Sequence, residues 1–311
     1  MIAALIVPLL MPLTAPTLVR WAAPRLRPAA AMWALTATAC VLAVSWLAAL
    51  GGLLLAGTLT VTAVGRLEHL IHPLNIVPAV VAYPIAALAV GTLFVCATAM
   101  TRSALRQLRH YRTAHAQLRN VPSAGDLSIL DQPEADAYAL PGKPGRIVVT
   151  SGMLRTLEGP EREALFAHER AHLTGRHHYF LAAADLTTRC LPATSALRNA
   201  IALAVERVAD EAAAHAVGDR NLTARAIGRA ALAGAAGSGA SRPFFAAGAA
   251  GGPVPQRVKA LLQPVPAPSR LAVAAVGLLL AFSAATGAAA AAGLVSLHHH
   301  VEVAQGEIRD A

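Results

Sequence analysis

The chain is short of cysteine, of aromatic residues and of charge, and each shortage excludes something. Its three cysteines, Cys40, Cys96 and Cys190, lie far apart. An odd, sparse set makes no disulfide framework, and nothing resembles a CxxC metal knuckle. The chemistry therefore needs no oxidising compartment. Aromatic residues make up 4% of the chain, too few to supply stacking platforms for single-stranded nucleic acid. Charged residues make up 14% and hydrophobic ones 56% of 311 residues, too apolar for an ordinary soluble protein. Acidic residues are the scarcer sign: 17 against 26 Lys and Arg, a formal net charge of +9. An anionic membrane surface accounts for that excess better than a nucleic acid does.

The stretches without charge mark out four spans. Residues 2–19 are uncharged and long enough for a signal peptide or a transmembrane helix. No basic residue precedes the run and no small-x-small cleavage site ends it, so it reads as a first span that tolerates Pro8, Pro12 and Pro16. Arg20, Arg25 and Arg27 follow, then a second span over about 30–56. The polar connection 65–78 holds His69 and His72, which read as interfacial residues because no third ligand is near. A third span covers 79–101. Arg102, Arg106, Arg109 and Arg112 then form a helical stripe, with Arg119 beyond it. The stripe suits an anionic lipid or a nucleic-acid arm, but stop-transfer charge at the end of a span is the plainer reading. A fourth span covers 270–295, followed by a tail, 296–311, whose His298, His299 and His300 read as incidental. The placement of Arg and Lys predicts the N-terminus and tail outside and the region 102–269 in the cytoplasm of a multi-pass plasma-membrane protein.

Within 102–269, LSIL, AYAL and RIVVT are short apolar runs separated by turn residues, which predicts a small antiparallel sheet. Pro160, Glu161 and Glu163 suit the start of a helix. That helix carries His168-Glu169-Arg170-Ala171-His172 and ends near Gly175. Further helices are predicted over 177–191, 195–217 and 222–235. A low-complexity stretch, 234–256, containing Phe244 and Phe245 reads as a loop, and 255–264 as a short helix. On a helix, positions i and i+4 share a face, so His168 and His172 can turn their imidazoles to one metal ion. Glu169, beside the first histidine, is placed to deprotonate a water whose pKa zinc lowers to about 7. The alternative is an exposed helix with a chance histidine pair. A catalytic zinc wants a third protein ligand. Glu206 on the helix 195–217 can supply it if the two helices form a hairpin, and Asp210, one turn on, can accept the far N–H of a ligating histidine. A solvated acidic face is the bland reading of Glu206 and Asp210.

HExxH followed by ExxAD resembles the integral-membrane gluzincins: the HtpX heat-shock proteases and CaaX prenyl proteases on one side, the BlaR/MecR-type regulatory metallopeptidases on the other. DAYALPG, GRIVVTSGML and EREALFAHERAHLTGRHH resemble the segments that those families place before and across their metal helix. The resemblance implies a mainly α membrane protein, four transmembrane helices with an α+β zincin-like domain inserted between the third and fourth. It implies one zinc ion per chain on His168, His172 and Glu206, Glu169 as general base, and hydrolysis of a cytosolic or juxtamembrane protein. Three spans, a zincin domain and a fourth span look most like the BlaR/MecR side, although residues 296–311 are too few for the sensor those receptors carry. A regulatory protein that cleaves one partner, such as a transcriptional repressor, or itself is the second expectation. The expected partners are a protein or peptide substrate and the lipid bilayer, with no nucleic acid. RIVVTSG is a candidate edge strand for an extended substrate. Tyr138, Arg229 and His215 are candidates for oxyanion stabilisation that read more simply as structural.

Overall fold

A computed structural model describes residues 2–59, 78–236, 253–264 and 269–305. His69, His72, Phe244 and Phe245 lie outside these residues. The described chain is mostly helical. Four of its helical stretches are long and apolar enough to cross a membrane: Ala3–Arg25, Pro28–Leu59, Val80–Gln117 and Arg270–Val303.

The first stretch is segmented by its prolines. Helix α1 (Ile2–Leu10) passes through a 3-10 turn, Met11–Thr14, into α2 (Ala15–Ala22), and a second 3-10 turn, Ala23–Arg25, ends it. A proline cannot donate to the carbonyl four residues back, so the chain tightens locally and continues. α3 (Pro28–Leu59) and α4 (Ala79–Gln117) have no such interruption beyond Pro84, near the start of α4. α4 runs unbroken from the apolar span through the arginine stripe. The last helix, α11 (Arg270–Gln305), continues past the predicted end of the fourth span and takes in His298–His300. Small residues let these helices approach closely. A Cβ on Gly57 of α3 would lie 2.4 Å from Cβ of Ala86 on α4. Leu5 of α1, fully buried, fills the space that glycines leave at Gly52 and Gly293.

The sheet contains β1 (Ser123–Ala124), β2 (Leu127–Leu130), β3 (Ala137–Leu140) and β4 (Arg146–Thr150) in the order β1-β2-β4-β3. It is mixed, not antiparallel as the sequence suggested: β2 runs parallel to β4, and β3 antiparallel to it. The cause is the crossing loop between β2 and β3, which is strapped over the end of β4. Thr150 N–H donates to Asp136 O at 2.9 Å, the Thr150 hydroxyl donates to Glu134 O at 2.7 Å, and Gly152 N–H donates to Gln132 O at 2.9 Å. Only glycine fits at 152, where a Cβ would lie 2.1 Å from Pro133 O. β4 is therefore interior, and RIVVT is no edge strand; β3 lies at the edge instead.

The remaining helices are α5 (Ser151–Thr156), α6 (Gly159–Thr174), α7 (His177–Cys190), α8 (Ser195–Val217), α9 (Arg220–Ala236) and α10 (Val254–Leu262). α7 and α8 form a hairpin through a 3-10 turn, Pro192–Thr194. One hydrophobic core joins this hairpin to the candidate spans. Phe180, Ala184, Leu197, Ile201 and Val205 pack with Val19, Ala22, Leu35 and Leu42. Trp33 meets Phe180 edge to face at 4.8 Å. The sequence treats α7 and α8 as helices of a separate domain, because each is too short and too charged to read as a span; their apolar faces are covered by the spans themselves. The hairpin tip also reaches the apolar part of α4: Cys96 Sγ lies 3.3 Å from Cys190 O, while Ser103 Oγ donates to buried Asp185 at 2.9 Å. Those two contacts lie about 10 Å apart along α4 at the helical rise.

The glycine contacts make a prediction. Gly57→Ala overpacks the α3–α4 contact and should destabilise the detergent-solubilised protein by about 1–3 kcal/mol. Gly51→Ala, where nothing lies within 4 Å of the new Cβ, should be neutral or gain up to about 1 kcal/mol from helix propensity. Equal melting curves for the two variants would contradict the packing.

Candidate metal centre

The site is built on α6. Glu158 and Glu161 form a capping box at its start: the Glu158 N–H donates to Glu161 Oε2 at 3.0 Å, and Pro160 sits in the first turn. Arg229 of α9 bridges Glu161, Glu158 and the carbonyl of Thr156, which ties α9 to the helix start. Gly175 ends α6, and Arg176 takes a left-handed conformation with φ 50° to turn the chain into α7. Glycine is needed at 175 for space: a Cβ there would lie 2.4 Å from Nε2 of His177.

α8 lies against α6, and the two helices bring the predicted ligands together. His168 and His172 face each other with their Nε2 atoms 3.1 Å apart. Glu206 Oε2 is 3.6 Å from His168 Nε2, and Glu206 Oε1 is 3.8 Å from His172 Nε2. One donor atom from each of the three residues lies within 4.8 Å of the others. All three residues are buried, and Glu169 is fully buried on the same turn. Asp210 Oδ1 is 3.0 Å from His168 Nδ1, a short contact too bent for a linear hydrogen bond but close enough for a strong charge interaction.

Two participants escape the sequence reading. The first is His177, whose Nδ1 lies 2.9 Å from Nδ1 of His172. Its position five residues after His172 is the only signal in the sequence. The second is Arg257, the largest fully buried side chain. Its Nε donates to Asp210 Oδ2 at 2.9 Å, its NH2 group to Asp210 Oδ1 at 2.6 Å, and its NH1 group lies 2.9 Å from Glu206 Oε2. Arg257 comes from α10, which Arg220 holds in place by donating to the terminal carbonyls of Ala260, Leu261 and Gln263 while pairing with Glu211. In the sequence Arg257 looks like any surface arginine of a short helix. The missing clue was demand: two carboxylates on the buried face of α8 require a counter-charge.

The electrostatics follow from this enclosure. Burial acts to lower the pKa of His168, but Asp210 and Glu206 outweigh it and raise it to about 9. Burial and the neighbouring His168 push His172 well below the ordinary value, and burial pushes His177 down to about 4. Burial acts to raise Asp210, yet the hydrogen bonds from Arg257 and the nearby His168 imidazole hold it below the usual carboxylate range. Two imidazole nitrogens 3.1 Å apart cannot both carry a proton, so a single proton lies between them. The donor set fits a divalent metal ion in that place. Glu169, Glu206 and Asp210 place three buried carboxyl groups around one buried guanidinium, an acid-rich set that a dication in place of the His168 proton would suit. Nitrogen and oxygen donors of this kind suit zinc.

The other candidates lie elsewhere. Arg229 is committed to Glu158 and Glu161, and His215 is exposed on α8. Tyr138 packs with Ala114, Leu118 and Val148, whereas Ala137 packs with Leu165 of α6; alternation along β3 thus puts Tyr138 on the sheet face turned away from the metal helix.

Residues 104–204 match the sequence model of Peptidase family M48. The match covers less than half of the chain, includes His168, Glu169 and His172, and ends just before Glu206. A metallopeptidase is what this match indicates, and the His168, His172, Glu206 cluster is compatible with it. No curated protein and no solved structure matches the chain.

Removing Arg257 strips the counter-charge from two buried carboxylates. Arg257→Met should therefore cost about 3–5 kcal/mol in chelator-treated protein, measured by denaturation in detergent. Arg170→Met breaks only the exposed pair with Asp126 and should cost less than about 1 kcal/mol. Similar losses from both variants would contradict this charge balance.

Proposed function

We propose that the chain is a membrane-bound zinc metalloendopeptidase that cleaves a protein at or near the cytoplasmic membrane surface. The observation that carries this reading is the convergence of His168, His172 and Glu206, with Glu169 buried beside them. His168, His172 and Glu206 would hold a zinc ion, which would supply Lewis acidity and lower the pKa of a water to about 7. The protein's own groups do the rest. Glu169 accepts a proton from the attacking water and delivers it to the leaving amine. Asp210 holds the Nδ1 side of His168, so that its Nε2 lone pair faces the centre. His177 does the same for His172. Arg257 fixes Glu206 and Asp210 as a pair.

The membrane-surface part of the proposal rests on the α7–α8 hairpin. Glu206 lies about 18 Å along α8 from the hairpin tip at Thr194, and that tip packs beside α4 and the Met11–Thr14 turn. A site raised this little above the apolar stretches suits substrate segments close to the bilayer. Arg20, Arg25, Arg27 and the stripe from Arg102 to Arg119 favour the cytoplasmic side for it.

Purified full-length protein should hold about one zinc per chain by elemental analysis. Glu169→Gln should keep that zinc while proteolysis falls by about 10²–10⁴-fold. Zinc retained by a wild type that cleaves no protein would leave a metal site and overturn the enzyme. His177→Ala should weaken zinc binding about 10–100-fold in a chelator competition, and unchanged affinity would remove His177 from its assigned place. In vesicles, a spin label at Ala193 should be more accessible to oxygen than to an aqueous relaxant; the reverse would lift the hairpin out of the membrane.

A further inference from the structure

A second cavity, separate from the metal centre, lies where the turn between the first two candidate spans meets α8. It has a volume of about 620 Å³. Its floor and walls are Pro28, Ala29 and Ala30, the first residues of α3, and Val208 of α8; its polar groups are Arg27, Arg207 and Glu211. Glu211 is already paired with Arg220. Among the described residues, no hydrogen bond or ion pair reaches the side chain of Arg27 or of Arg207, and Nε of Arg207 is a fully buried donor with no acceptor. The buried Arg207 donor is costly to leave without an acceptor, and the exposed Arg27 adds a second guanidinium at the rim of the same cavity. Both conditions call for an anion.

The place of the cavity says which kind of anion. Arg27 and Pro28 stand between the stretch Ala3–Arg25 and the stretch Pro28–Leu59. If both cross the bilayer, as the proposed function takes them to do, their connection lies at the level of the lipid headgroups. An apolar wall running from Pro28 into α3 continues from there into the hydrocarbon. We propose that this cavity binds an anionic phospholipid, whose phosphate is held by Arg27 and Arg207 and whose acyl chains lie against Ala29, Ala30 and Val208. The fork of a guanidinium suits a phosphate diester, and a zwitterionic headgroup brings a compensating positive charge that the two arginines disfavour. Arg207 directly follows Glu206, so the lipid would fasten the turn of α8 that carries the third metal-centre residue to the membrane surface.

The test uses full-length protein in an uncharged detergent, titrated with phosphatidylglycerol or phosphatidylcholine and read by native mass spectrometry. One phosphatidylglycerol should be retained roughly tenfold or more tightly than phosphatidylcholine, the scale of two arginines at a membrane surface. The double substitution Arg27→Gln with Arg207→Gln should abolish that preference. Arg27→Lys with Arg207→Lys should keep part of it, and Arg109→Gln, in the exposed stripe of α4, should leave it unchanged. No preference in the wild type, or a preference that survives the double Gln substitution, overturns the proposal. Displacement of the lipid by millimolar inorganic phosphate would assign the cavity to a free anion and overturn the lipid. If the double Gln variant does not fold, the wild-type comparison of the two lipids and of phosphate decides alone. Carbonate extraction separates the two levels of failure. Release of the wild type from membranes would remove the membrane reading itself, whereas an integral protein without lipid preference would remove only this site.

Discussion

The structure depends on how charge is arranged where α6 meets α8. Carboxylates and a guanidinium buried together are expensive, several kcal/mol for each ion, and they are tolerated only when each has a partner of good geometry. Arg257 meets that condition for Asp210 and Glu206 from a helix about fifty residues further along the chain. A proton between the histidine rings, or a divalent cation in its place, adds positive charge beside them. This explains why α10, a helix of three turns at most, must be held in place by Arg220, and why α6 begins with a capping box tied down by Arg229. Each outer contact fixes an element that carries a charge inward.

A second constraint comes from the membrane helices. A buried charged cluster needs rigid walls, and a domain of this size has a thin core of its own. Here α7 and α8 complete their burial against α2 and α3, so the candidate spans serve as part of the scaffold of the site. The helix bearing Glu206 and Asp210 is thereby set at a fixed distance from the apolar stretches.

The parts of this arrangement that the sequence reveals are those governed by local periodicity. His168 and His172 stand one helical turn apart, and Glu206 and Asp210 stand one turn apart on the next long helix, so their meeting needs only a helical hairpin. The four apolar stretches and the ends of α6, α7 and α8 follow from runs of residue type, from Pro160 and Pro192, and from Gly175 and Gly218. What the sequence hides depends on tertiary contacts. Strand order in the sheet is set by Thr150 and Gly152 gripping the crossing loop, which no alternation of apolar residues encodes. Arg257 reads as a surface charge until α10 is seen to enter the core. The shared core of hairpin and spans is hidden because α7 and α8 are each amphipathic enough to pass for helices of a soluble domain.

X-ray absorption at the zinc edge of the purified full-length protein tests the central claim most directly. A zinc ion on His168, His172 and Glu206 should show a first shell of two imidazole nitrogens and carboxylate or water oxygens at about 2.0–2.2 Å, with the imidazole scattering signature reduced in His168→Ala. A shell containing sulfur at about 2.3 Å, or one unaltered in His168→Ala, would contradict it.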